Sequence, residues 1–192
     1  SNNAQPIFFS RPRRFGKTLN MSMLNCFFSN KYAGRGDLFA GLSVWEDEKY
    51  RRLQGTYPVI FLSFAMVKGS DCGSLLQKLR EIIAAAFKKH AYLLASDVLY
   101  AADKAYFTKV RFCKQGVDWE VSIHKLSAWL SAYYKRKVIL LLDEYDTPMQ
   151  EAYAGDFWQE MTELMRPFFN ATFKSNECTD RAFLTGITRG AP

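Results

Sequence analysis

The sequence predicts an α/β domain with a mostly parallel sheet, and two observations carry that prediction. Four short apolar segments, at residues 6–10, 59–64, 138–142 and 182–188, are separated by stretches with helical spacing. The first of them runs into a turn that ends Gly16-Lys17-Thr18, and helical spacing begins there. Strand, loop and helix in that order form one half of a parallel crossover unit.

PIFFS (6–10) is a short apolar run, read as a buried strand. From Thr18 onward Leu19, Met23, Leu24, Phe27 and Phe28 fall on one side of a helix. Residues 30–55 are charged, aromatic and punctuated by glycine, which suits loops with a short helix. VIFLSF (59–64) is the second strand. Ser70 or Asp71 caps the next helix, whose Leu75, Leu76, Leu79, Ile82, Ile83, Ala86 and Phe87 recur at i, i+3, i+4 and i+7. Residues 95–118 show no clear period. Ile123, Leu126, Trp129, Leu130 and Tyr133 mark another amphipathic helix. VILLL (138–142) is apolar throughout, as a strand covered on both faces should be. After Pro148 the chain reads as helix, broken near Gly155 and resumed to Lys174, with Pro167 as a kink or break. AFLTGIT (182–188) is the last strand.

At 192 residues, with 48% hydrophobic and 16% aromatic residues, the chain has enough apolar surface for one sizeable core. Its 26 Lys and Arg against 19 Asp and Glu leave a net charge of +7. That suits polyanions such as nucleic acid, an acidic membrane or phosphates, and equally a plain soluble basic surface. Cys26, Cys72, Cys113 and Cys178 form no C-x-x-C pair, which excludes a zinc ribbon or a redox motif and suits a reducing cytoplasmic location. His90 and His124 stand alone, giving little support to a histidine-built metal site or a Ser-His-Asp hydrolase. No apolar run reaches the roughly 18 residues of a membrane span, and no signal peptide opens the chain. Residues 1–3 read as a cloning remnant. Residues 4–192 read as one core, truncated at its C-terminal end, in a fragment of a longer protein.

The loop SRPRRFGKT (10–18) ends like a phosphate-binding loop, G-x-x-x-x-G-K-[ST], with Arg11 in place of the leading glycine. Such loops aim backbone N–H groups and a helix N-terminus at phosphate oxygens. Gly16 would let the backbone approach, Lys17 would neutralise phosphate, and Thr18 would ligate a metal. Pro12 offers no N–H and pushes Arg11 towards extended geometry, so the loop loses a donor. Arg11, Arg13 and Arg14 can grip phosphate bidentately, or form a solvated basic turn. A second feature favours phosphate: residues 138–142 run into Asp143-Glu144. Nucleotide hydrolases with such loops hold Mg²⁺ through an Asp at that place, and an adjacent Glu can serve as general base. The alternative is an ordinary strand-to-loop transition. Asp146 and Thr147 before Pro148 read as a helix N-cap with proline at N1, so Asp146 stays outside the site.

RPRRFGKTLNMSML (11–24), PVIFLSF (58–64), VILLLDEYDTP (138–148) and FLTGITR (183–189) together resemble the AAA-ATPase-like family, prokaryotic P-loop ATPases of the AAA+/STAND type. The resemblance spans nearly the whole chain, and the family usually carries the arginine found at Arg11. It implies a three-layer P-loop NTPase sandwich with sheet order 5-1-4-3-2, the fifth strand absent from this fragment. It implies ATP and Mg²⁺ as ligands. Arg13, Arg14, Phe15, Gly16, Lys17, Thr18 and Leu19 would form the nucleotide loop, and Thr18 and Asp143 would hold the metal. Lys17 and Glu144 would be catalytic, with Glu144 activating water. Thr185, Thr188 and Arg189 are sensor candidates. Many relatives continue into a C-terminal restriction-nuclease-like domain, which nothing in these residues supplies. The rivals to ATP hydrolysis are a slow nucleotide-dependent switch and a nucleic-acid-binding module that uses the basic loop.

Overall fold

Alternation and apolar runs become strands and helices much as the spacing dictates. The computed structural model describes residues 6–10, 16–174 and 176–187. Its strands are β1 (Ile7–Ser10), β2 (Val59–Ser63), β3 (Val138–Asp143) and β4 (Thr179–Gly186). All pairings are parallel, in the order β1-β4-β3-β2. The helices are α1 (Lys17–Phe28), α2 (Ser43–Glu46), α3 (Glu48–Arg51), α4 (Cys72–Lys89), α5 (Ala101–Arg111), α6 (Ser122–Tyr134), α7 (Thr147–Ala154) and α8 (Trp158–Phe169).

The period of two divides the sheet residues between two faces. Val59, Ile139, Leu141 and Phe183 pack with Met21 of α1 on one face. Ile60, Leu62, Leu140, Leu142, Ala182 and Leu184 join α4, α5, α6 and α8 in a larger core on the other. β3 is inside on both faces, as its unbroken apolar run requires. Asp143, two residues beyond Leu141, and Thr185, two beyond Phe183, therefore belong to the α1 face.

Several expectations are corrected. β1 is an edge strand, not a buried one: Phe8 is 46% exposed, and β1 pairs only with β4 among the described residues. An apolar run alone does not separate an edge from an interior strand. In α1 the buried residues are Lys17, Met21 and Phe27, whereas Leu19 is 64% exposed and Met23 is also exposed. The helix meets the sheet one step round from the stripe its sequence suggests. Residues 95–118 contain α5, which buries only Phe107 and Val110 and whose N-cap residue, Tyr100, makes no side-chain cap bond. Two anchors and no start signal leave little period to read. Residues 30–55 hold α2, α3 and two short 3₁₀ turns.

The cap of α4 is Asp71, which accepts the Ser74 N–H at 2.9 Å. Pro167 lies inside α8 and does not end it; the winding widens to a π-turn over Asn170–Lys174. β4 starts at Thr179, three residues early, because buried Thr179 pairs with Val138 despite its polar flank.

Candidate functional site

In a parallel sheet all strands point the same way, so their C-terminal ends share one edge, where ligands of open α/β sheets bind. Ser10, Gly186, Asp143 and Ser63 end the four strands there. The register pairs Phe9 with Thr185, and Ser63 with Asp143, just below that edge.

Asp143 is fully buried. Its Oδ1 accepts the Thr185 hydroxyl at 2.5 Å, and the same hydroxyl oxygen accepts the Glu144 N–H at 3.1 Å. Asp143 Oδ2 is buried with no hydrogen-bond partner among the described residues. A buried carboxylate oxygen left bare costs on the order of 1–3 kcal/mol or more. Bare buried polar atoms are uncommon in native proteins, so each one calls for an explanation.

The segment after β3 is clamped to the end of β4. The Tyr145 N–H donates to the Thr185 carbonyl at 3.0 Å, and the Ile187 N–H donates to Asp146 Oδ2 at 2.9 Å. Asp146 stands at the N-cap position of α7, but its side chain makes no cap bond to that helix. The N-cap position and the first-turn proline are as read, but the side chain bonds the residue after β4 instead of the helix. The clamp is close: a Cβ on Gly186 would lie 2.7 Å from Asp146 Oδ1 and 2.8 Å from Tyr145 Cε1. Glu144 takes a left-handed φ of 52° within this turn. That is uncommon for a residue with a Cβ, and such strain clusters at functional sites.

On the facing side Gly16 has φ 72° and leads into α1, whose Asn20 N–H donates to the Gly16 carbonyl at 3.0 Å. A Cβ there would meet nothing within 4 Å, so the backbone angle, not space, calls for glycine. Lys17 begins α1 with its stem buried, 7% exposed, while Thr18 is exposed. The N-terminus of this 12-residue helix carries a partial positive charge, which favours anions.

Between these walls lies an open cleft of about 470 Å³, within the range of small-molecule sites. It brings together Gly16, Lys17, Thr18, Leu19 and Glu144 from the predicted set. Asp143 and Thr185 lie buried behind Glu144, tied to it by the Thr185 hydroxyl. Arg13, Arg14, Phe15, Thr188 and Arg189 lie outside the described residues, as do Arg11 and Pro12. Sequence reading missed Lys68, Thr147, Gln150 and Glu151, which also line the cleft. Thr147 donates its hydroxyl to Glu144 Oε2 at 3.4 Å. Lys68 follows β2 by five residues, and loops at strand C-termini are where such groups should be sought.

Among the described residues no three His, Cys, Asp or Glu side chains gather into a metal cluster. No helix among them is long and apolar enough to cross a membrane.

A protein of Azotobacter chroococcum mcd 1, described as an uncharacterized protein in the vnfD 5′ region, is 25% identical over 183 residues. The match covers 95% of this chain and 30% of that protein, so the chain spans less than a third of its relative's length. No solved structure matches the chain. A family model described as a predicted AAA-ATPase matches residues 1–191, and the chain belongs to this AAA-ATPase-like family.

Proposed function

We propose that the cleft at the strand C-termini binds ATP together with Mg²⁺ and hydrolyses it. The observation that carries this reading is the bare, buried Oδ2 of Asp143, held by Thr185 beside the helix that opens Gly16-Lys17-Thr18. Mg²⁺ takes one or two carboxylates and completes its shell with waters and substrate phosphates. One carboxylate and one threonine hydroxyl are the few protein ligands such an ion needs. Asp143 and Thr18 would hold it, and when bound it would neutralise charge on the phosphates.

The remaining roles fall to this chain's own groups. The α1 N-terminus and Lys17 would grip the β- and γ-phosphates, and Gly16 would let the backbone approach them. Arg13, Arg14, Phe15 and Leu19 would complete the loop. Glu144 would orient the attacking water and take its proton. Thr185 holds the Asp143 carboxylate and the Glu144 amide at once, so it would keep metal ligand and base in register. Thr188 and Arg189 remain sensor candidates. In this reading the order β1-β4-β3-β2 is a P-loop sheet of order 5-1-4-3-2 without its fifth strand.

Calorimetry with ATP, with and without Mg²⁺, tests the proposal. Lys17→Met keeps the buried stem and removes the charge. It should weaken ATP by roughly 1.5–3 kcal/mol for each charge-assisted hydrogen bond removed. Asp143→Asn should retain ATP binding in chelator and lose the gain from Mg²⁺. A folded Lys17→Met protein with unchanged affinity for Mg-ATP would reject the site.

A further inference from the structure

The opposite end of the sheet carries a second cluster of chemistry that the nucleotide reading does not use. A pocket of about 420 Å³ opens beside edge strand β2, near the C-termini of α1 and α4. Its polar lining is Asn25, Ser29, Lys31, Tyr32, Lys89 and His90. His90 is 5% exposed, and its Nδ1 lies 3.1 Å from the Tyr92 hydroxyl. That hydroxyl lies 2.9 Å from the Tyr134 hydroxyl, and the Tyr92 and Tyr133 ring centroids are 5.5 Å apart. All three tyrosines are exposed. His90 thus links the pocket wall to an exposed aromatic cluster.

Lys135, Arg136 and Lys137 follow these tyrosines directly. Arg136 stacks on Tyr57, its Cζ 3.8 Å from the ring centroid, and Tyr57 is bridged to Ser29 at the pocket wall. None of Lys31, Lys89, Lys135, Arg136 or Lys137 forms an ion pair with a carboxylate among the described residues. Glu177 and Asp180 are at this end too, but beside β4, where Asp180 pairs with Arg181. Three helices, α1, α4 and α6, end nearby and supply about half a negative charge each. Five cations outweigh that. Burial, then the charges of Lys31 and Lys89, push the His90 imidazole down to about 4. Burial, then Lys89, lowers Lys31.

We propose that this basic, tyrosine-rich end of the sheet, centred on Lys31, Lys89, His90, Tyr133 and Arg136, binds a single strand of nucleic acid. The pocket would take a backbone phosphate with its sugar, held by Lys31 and Lys89. The tyrosines would stack bases, an interaction that tolerates any sequence because every base has a π-face. Cations interleaved with exposed aromatic rings suit that ligand better than an acidic peptide, which has no use for the rings. The surface lies at the other end of the sheet from Ser10, Gly16 and Lys17, so ATP and the strand would bind at opposite ends.

The test is fluorescence anisotropy with labelled oligothymidine and oligouridine strands of about 20 nucleotides, with polyglutamate as a second polyanion. The protein should bind both oligonucleotides at low salt. Lys31→Ala/Lys89→Ala should weaken them about tenfold and reduce the salt slope by roughly 1.4, about 0.7 for each phosphate no longer neutralised. ATP affinity should stay unchanged in that variant, which shows that the fold is intact. Tyr133→Ala should weaken the oligonucleotides and leave polyglutamate unaffected. Three results would overturn the proposal. One is no oligonucleotide binding at low salt. Another is loss of binding in Arg13→Ala/Arg14→Ala but not in the Lys31/Lys89 variant. The third is an equal loss of oligonucleotide and polyglutamate in Tyr133→Ala, which would mark a surface for an acidic protein.

Discussion

The two ends of β3 are about 17 Å apart along the strand and use charge in opposite ways. At the Asp143 end one carboxylate is fully buried, its position fixed by Thr185, and the turn beyond is clamped by three bonds to β4 and the residue after it. At the Val138 end five cations stand without carboxylate partners among the described residues, spread over the chain from Lys31 to Lys137. A fixed arrangement of few groups suits chemistry on one bond, where misplacement by an ångström is costly. A diffuse field with aromatic rings suits capture of an extended polyanion, where exact placement matters little.

The largest effect should come from the ordered end. Glu144→Gln keeps the shape and removes the base. If Glu144 activates water, ATP hydrolysis should fall by roughly 10²-fold or more while ATP binding persists. Steady-state phosphate release with parallel calorimetry gives both numbers. If binding persists and the native protein shows no turnover, the cleft is a nucleotide switch.

The diffuse end should reveal itself in pH. The folded-state pKa of His90, about 4, lies below its ordinary 6.5. The unfolded chain therefore takes up the proton first. The stability linked to His90 is complete above about pH 6.5 and is lost as pH falls towards 4. At about 1.4 kcal/mol per pH unit the total approaches about 3 kcal/mol. Lys31, Lys89 and Tyr92 face the imidazole, and none of them carries negative charge to rescue its protonated form. Urea unfolding between about pH 7 and 5 should show this slope. His90→Gln should flatten it. An equal slope in the variant would place the titration elsewhere.

The ordered end was legible because its residues are neighbours in sequence. Gly16-Lys17-Thr18 follows one apolar run and Asp143-Glu144 ends another, so motif and strand read together. Thr185 was legible only through the family resemblance, since its hydrogen bond to Asp143 depends on β4 lying beside β3. Lys68, Thr147, Gln150 and Glu151 carried no motif, and only packing brings them to the cleft. The diffuse end was not legible at all. Lys31, Tyr57, the Lys89-His90 pair and Arg136 come from four separate places, joined by helix ends that no local pattern fixes. Exposure of β1 was missed for a related reason: whether an apolar strand gains a second neighbour is a matter of topology, not of its own residues.

The smallest effect concerns the strain in the ordered end. Glu144 holds φ at 52°, where a Cβ crowds the following carbonyl at a cost of roughly 1–2 kcal/mol. Gly16 and Gly34 adopt similar angles without that cost, because they have no Cβ. Glu144→Ala keeps the strain and removes the carboxylate; Glu144→Gly removes both. Each also deletes the long hydrogen bond from the Thr147 hydroxyl, so that change cancels between them. Their difference in unfolding free energy isolates the backbone. The glycine variant should be the more stable by about 0.5–1 kcal/mol, after its greater freedom in the unfolded chain is subtracted. If alanine is instead the more stable, the turn relaxes without its carboxylate, and the left-handed angle is imposed by the Glu144 side chain and not by the clamp to β4.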